Sequence, residues 1–168
     1  MQKDFERLFH RAEDHYLHPL EMISFRKHVG LLKHRLATYR YLRDNEGMIF
    51  QSVADQLESE FPETPPPQLE QALLHWISIL RYSSMALLLS NPEYLQYRLL
   101  EWLSDVVNAY ELQAIETRLA EILIQHLQSV LSEDGFHLLQ PFLHQAEVTV
   151  LHKVVPQAPE LAMAGDQA

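Results

Sequence analysis

Prolines cut this chain into long stretches, and within each stretch apolar residues recur every three to four positions. The nine prolines stand at 19, 62, 65–67, 92, 141, 156 and 159. A proline has no backbone donor and a fixed φ, so it opens helices well and interrupts them badly. Spacings of three and four put side chains on one helical face. Together these features predict six to eight helices in one domain with no sheet. Only four glycines occur among 168 residues, and the abundant Leu, Ala, Gln and Glu all favour helix.

Phe5, Leu8, Phe9 and Ala12 form the stripe of a short amphipathic helix. Pro19 opens a second helix, with Glu21 in the first turn, where a carboxylate meets the positive end of the dipole. Met22, Phe25, Val29, Leu32 and Leu36 make its apolar stripe. The spacing continues through Tyr39, Leu42, Ile49, Phe50, Val53, Leu57 and Phe61. The weak helix formers Asp44-Asn45-Glu46-Gly47 mark a bend or break within it. A third helix carries Leu69, Leu73, Trp76, Ile77, Leu80 and Leu87. Asn91 and Pro92 are a cap and first-turn pair, followed by a stripe of Leu95, Leu99, Trp102, Val106 and Tyr110. Ile115, Leu119, Ile122, Leu123, Val130 and Leu131 form the next. The last helix carries Phe136 or Leu139, then Leu143, Ala146 and Val150, with Pro141 expected near its first turn. Both tryptophans read as core fillers. Residues 156–168, small and acidic, read as a disordered tail.

The formal charge of -10 argues against nucleic-acid binding, which needs clustered cations. Cysteine is absent, which excludes disulfides, thiolate nucleophiles and thioether-linked cofactors. The first residues lack the apolar core of a secretory leader. The most apolar run, Met85–Leu89, is too short to span a bilayer, so a cytoplasmic protein without a transmembrane segment is expected. No Gly-x-Ser-x-Gly elbow, phosphate loop or His-Glu-x-x-His motif occurs, and an enzyme is not expected.

The stretch from Ala72 to Ala86, with Arg81-Tyr82 inside it, resembles the pigment-bearing helix of phycobiliproteins. That family reads Cys-x-Arg-Asp, five residues, then Arg-Tyr or Arg-Leu. Tyr16-Leu17-His18-Pro19-Leu20-Glu21 is similar to the family's Tyr-Leu-Ser-Pro-Gly-Glu entry. Asp44-Asn45 through Ile49, then Ala54-Asp55-Gln56-Leu57, is similar to an allophycocyanin stretch. The segment from Trp102 to Leu112 resembles the Tyr-x-x-Leu approach to the penultimate helix. These pieces run collinearly over roughly residues 12 to 150. The resemblance implies an all-α, globin-like bundle over residues 19–155, with residues 1–18 as a helical extension that packs on a partner subunit.

The departures fall on the pigment contacts. Ala72 stands at the position of the bilin-attaching Cys, Leu74 at that of the propionate-binding Arg, and His75 at that of the pyrrole-binding Asp. A Gly-Thr-Pro turn is replaced by Gln113-Ala114-Ile115. The implied protein is a chromophore-less relative that holds no covalent bilin and acts by protein contacts in antenna assembly or regulation. It would sit in the cytoplasm, at the thylakoid face with the phycobilisome, and its partner would be another phycobiliprotein subunit or a second copy. The alternative is a non-covalent tetrapyrrole binder or sensor, with His75 touching bilin or haem. The plainer reading of His75 is a half-buried surface histidine.

Phe5, Leu8, Phe9, Tyr16 and Arg81 are the expected partner interface. A short helix with two Phe is not stable alone. In the family a similar Arg pairs with an acidic residue of the partner's N-terminal helix, for which Asp4, Glu6, Glu13 and Asp14 are available here. The competing reading of Arg81 is an intramolecular surface salt bridge. Ten histidines invite a metal reading, but His137, His144 and His152 lie about 10 Å apart along one face, and no metal site is expected. Ser83 and Ser84 are expected to bond back to carbonyls one turn earlier.

Overall fold

The computed structural model describes residues 2–110 and 112–151, with the side chains of residues 2–6 and 9 outside the description. The expected tail and His152 lie beyond the described residues. Every regular element described is helical: α1 (Gln2–Asp14), α2 (Pro19–Glu60), α3 (Pro66–Leu89), α4 (Pro92–Leu95), a π-helical turn (Gln96–Leu100), α5 (Glu101–Tyr110), α6 (Gln113–Val130) and α7 (Glu133–Val150).

α3 is the central element, packing against α2, α6 and α7. By length and apolarity it could cross a membrane, but ten of its residues are buried inside the bundle, as in the core helix of a globular fold. Trp76, Ile79, Ala86 and Leu87 contribute its inner face to one contiguous core. Pro66 starts it, and Ser90 in left-handed conformation (φ 53°) ends it. Asn91 caps α4 by accepting from the Tyr94 amide at 3.2 Å.

α2 runs unbroken for 42 residues, about 63 Å at 1.5 Å per residue. The bend or break expected at 44–47 is absent. Local side-chain bonds hold the weak formers in helix: Asn45 donates to the Tyr41 carbonyl at 2.8 Å, and Arg43 pairs with Asp44 at 2.7 Å. The C-terminal half of α2 buries Leu42, Ile49, Phe50, Val53 and Leu57 in the core. The N-terminal half does not. Met22 and Leu32 of its expected stripe are exposed, and Phe25, Val29 and Leu36 are half-buried. Residues 19–34 have no buried side chain, whereas Arg35 and Thr38 are buried, and α1 packs on α2, joined to it by Arg11–Glu21 at 3.0 Å.

Two further expectations change. The π-helical turn inserts extra rotation before α5, so Leu100, Leu103 and Val107 face the core while Trp102 and Tyr110 face out. Trp102 is therefore not a core filler. α7 begins earlier than expected: Ser132 caps it by accepting from the Gly135 amide, which leaves Pro141 inside the helix rather than in its first turn. Gly135 permits this close approach, since a Cβ there would lie 3.0 Å from the Thr38 hydroxyl.

Candidate functional site

Two places gather polar groups against apolar walls. The first lies at the start of α3. His75 and Trp76 point inward, and Glu116, from the first turns of α6, reaches both. Glu116 Oε1 lies 2.6 Å from His75 Nδ1, and Oε2 accepts from the Trp76 indole N–H at 2.7 Å. Glu116 is fully buried and His75 nearly so. Gln71, one turn before His75, donates its amide N–H to Nε2 at 2.8 Å. That makes Nε2 the acceptor and leaves Nδ1 as the N–H that donates to the carboxylate. The Tyr110 ring stands 6.3 Å from the imidazole. The carboxylate thus has one donor for each oxygen, the condition for burying its charge.

Around this network the sequence-flagged positions diverge. Ala72 is fully buried, and Leu74, two residues on, is exposed to solvent. His75 is buried with both ring nitrogens engaged, not half-buried at the surface. It has no free lone pair to offer an iron or a pyrrole without giving up Gln71. Glu116 and Gln71 carried no sequence signal: neither belongs to a motif, and the pairing of Glu116 with His75 spans 41 positions.

The second place is a cleft of about 400 Å³ between α2, α3 and α4. Arg81 lies on its rim and donates twice to Glu46, from Nε at 2.7 Å and from Nη2 at 2.6 Å. This bidentate pair raises the guanidinium pKa above its ordinary value, chiefly through the hydrogen bond to Glu46. Tyr82 and Tyr94 stack across the cleft at 5.9 Å. In the isolated chain Arg81 is therefore paired intramolecularly. Glu13 instead lies 3.9 Å from His10, and the Asp4 and Glu6 side chains fall outside the description.

A family model described as "Phycobilisome protein" matches residues 11–146. The chain belongs to the phycobilisome protein family. No curated protein matches it significantly. The all-α, globin-like fold is that of this family, and the match spans α2 to most of α7. Like other phycobilisome proteins it is assigned to the light-harvesting apparatus. Unlike its pigment-bearing members, it has no thiol anywhere in 168 residues, so the thioether by which the family holds bilin cannot form. The network at His75 occupies the stretch of α3 where the resemblance puts the pigment grip.

The remaining flagged residues are placed as follows. Leu8 is buried, and Tyr16 is 98% exposed on the connection between α1 and α2. The Phe5 and Phe9 side chains lie outside the description. His137 and His144 are exposed, and no group of three potential metal ligands gathers among the described residues. Ser84 donates to the Arg81 carbonyl at 2.8 Å, as expected. Ser83 does not bond back: its hydroxyl is buried without a partner among the described residues.

Proposed function

We infer that this phycobilisome protein works without an attached bilin, through protein contacts that assemble or regulate the light-harvesting antenna at the cytoplasmic face of the thylakoid. On this reading residues 19–155 are the scaffold, and the extension with Tyr16 and the two Phe is the docking part, while Leu8, expected at that interface, is buried in the chain's own fold. The observation that carries it is the replacement of the pigment grip. Ala72 offers no nucleophile, Leu74 no charge, and His75 is tied inward to Glu116 and Gln71. A scaffold that keeps its helices while its ligand-holding groups are spent on its own core has its surfaces left to act with. The family's members are generally structural and light-harvesting rather than enzymatic, which agrees.

Affinity isolation of the tagged chain from a phycobilisome-containing host is the direct test. Phycobilisome subunits should co-purify, and the chain itself should be colourless after denaturing separation. Titration of the purified protein with bilin or haemin should leave the visible spectrum a simple sum of its parts. A saturable new band that disappears on His75→Ala would overturn the reading in favour of a tetrapyrrole carrier.

A further inference from the structure

A third recess, of about 260 Å³, lies between α2, α7 and the turn that joins α3 to α4. Leu87, Leu138, Pro141 and Phe142 give it apolar walls, and Arg35 is the one Lys or Arg among the described residues that line it. Arg35 comes from α2, where it is only 9% exposed, a depth that arginine almost never reaches uncompensated. Loss of solvent lowers its guanidinium pKa below the ordinary value. Arg43, Arg81 and Arg118 are shifted the other way, each chiefly by hydrogen bonds to a carboxylate. No Asp or Glu lines the recess, in a chain whose formal charge is -10.

The walls are fixed before any ligand arrives. Gln145 ties α7 to the start of α4, donating to the Pro92 carbonyl at 3.3 Å and to Gln96 Oε1 at 3.2 Å. Ser90 ends α3 at φ 53°, the one non-glycine residue with positive φ among the described residues. Glycine usually takes such a place, because a Cβ there is strained. Ser90 instead brings a hydroxyl to the recess. Residues held in conformations of this kind gather at ligand sites.

We propose that this recess binds a free apolar monocarboxylate of the fatty-acid class, its carboxylate on the Arg35 guanidinium and the Ser90 hydroxyl, its chain against Leu138, Pro141 and Phe142. A guanidinium grips a carboxylate through two parallel N–H bonds. One buried cation answers one negative charge, whereas a phosphate would bring a second charge that nothing buried here meets. The apolar walls require the rest of the ligand to be hydrocarbon. The volume falls below the about 300–1,000 Å³ of sites for drug-sized ligands, so the occupant is a short chain and not a tetrapyrrole. The site is separate from the His75 network, and it stands whether or not the chain acts in the antenna.

Calorimetric titration of the full chain with decanoate, decanol, decylamine and acetate tests this. Decanoate should bind at one site per chain. At about a hundredfold excess over its Kd it should raise the melting temperature by about 5 °C or more. Decanol lacks the charge and acetate lacks the chain, so each should bind at least about tenfold more weakly. Decylamine should not bind. Arg35→Gln should weaken decanoate binding at least about tenfold. Leu138→Glu covers the case in which Arg35→Gln does not fold. Leu138 is half-buried, and a carboxylate on that wall should exclude decanoate while α-helical circular dichroism is retained. Ser90→Gly relieves the strained φ and should melt at least as high as wild type, yet hold decanoate about tenfold more weakly. A flat decanoate titration overturns the proposal and leaves Arg35 as a cation that complements the C-terminal end of α3. Decanol or decylamine binding as tightly as decanoate overturns it too, since the cation would then select nothing. Unchanged decanoate affinity in any folded variant of the three does the same. Flotation of the chain with phosphatidylglycerol vesicles, abolished by Leu138→Glu, would overturn it in favour of a lipid surface.

Discussion

Glu116 holds two donors that have nowhere else to turn. Removing its carboxylate leaves the Trp76 and His75 N–H groups buried, and each unsatisfied donor costs about 1–3 kcal/mol. Glu116→Ala is therefore expected to destabilise the fold by about 3 kcal/mol or more in urea denaturation. Glu116→Gln keeps one acceptor and should cost about half as much. A loss under about 0.5 kcal/mol for the Ala variant, the scale of ordinary surface substitutions, would mean that the network is not what closes the start of α3. Sequence reading reached His75 and Trp76 because the resemblance put them on the pigment helix. It missed Glu116 because a Glu four residues into a helix looks like any solvated charge. Only the packing of α6 on α3 turns it inward. Arg81 was legible as an ion-pairing residue, but its partner Glu46 was not, since Glu46 was read as part of a break in α2.

At the scale of elements, the helices were legible wherever proline and caps agreed with periodicity, as at Pro19 and Asn91–Pro92. The face of α5 and the start of α7 were not. Five residues of π-helix shift the face of α5, and no periodicity count made at one fixed angle can follow that. The start of α7 was misread because Pro141 suits a first turn but stands inside the helix, whereas the cap is Ser132. The joint between α2 and α6 carries a testable ion pair. Arg118 donates to Glu60 at 2.5 Å and 2.8 Å, and to Glu121 at 2.9 Å. The Arg118 hydrogen bonds pull the Glu60 carboxyl down from 4.5 to about 2. A depressed folded pKa contributes stability that is full above 4.5 and is lost as pH falls toward 2. Glu60→Gln should therefore melt below wild type at neutral pH, with the gap closing between about pH 4.5 and 2 as the wild-type carboxylate is protonated. Parallel melting curves across that range would show that this pair does not couple the two helices. Because both side chains are partly exposed, the gap should also narrow with added salt.

For the molecule as a whole, the proposed bilin-free state has two candidate causes, a missing thiol or a closed core. If the thiol alone were lacking, Ala72→Cys would restore attachment when the chain is co-expressed with a bilin and its lyase. Ala72 is fully buried in the bundle core, its side of α3 packed within the contiguous apolar cluster. A thiol there would be a small buried hydrophobe, inert because the thiolate is the reactive form and an apolar site raises the cost of forming it. Leu74, where the resemblance puts a propionate partner, faces solvent without charge, and His75 is committed to Glu116. Ala72→Cys is accordingly expected to fold and stay colourless, with no zinc-induced bilin fluorescence on a denaturing gel. Adding Leu74→Arg and His75→Asp should not rescue it either, because an Asp at 75 would face the buried Glu116 carboxylate and set two like charges against each other in a buried site. That triple variant should lose stability rather than gain colour, and the paired readout of melting temperature and gel fluorescence separates the outcomes. Fluorescence from Ala72→Cys alone would reverse the conclusion: the scaffold would still open for a pigment, and the proposed bilin-free state would rest on the missing thiol alone.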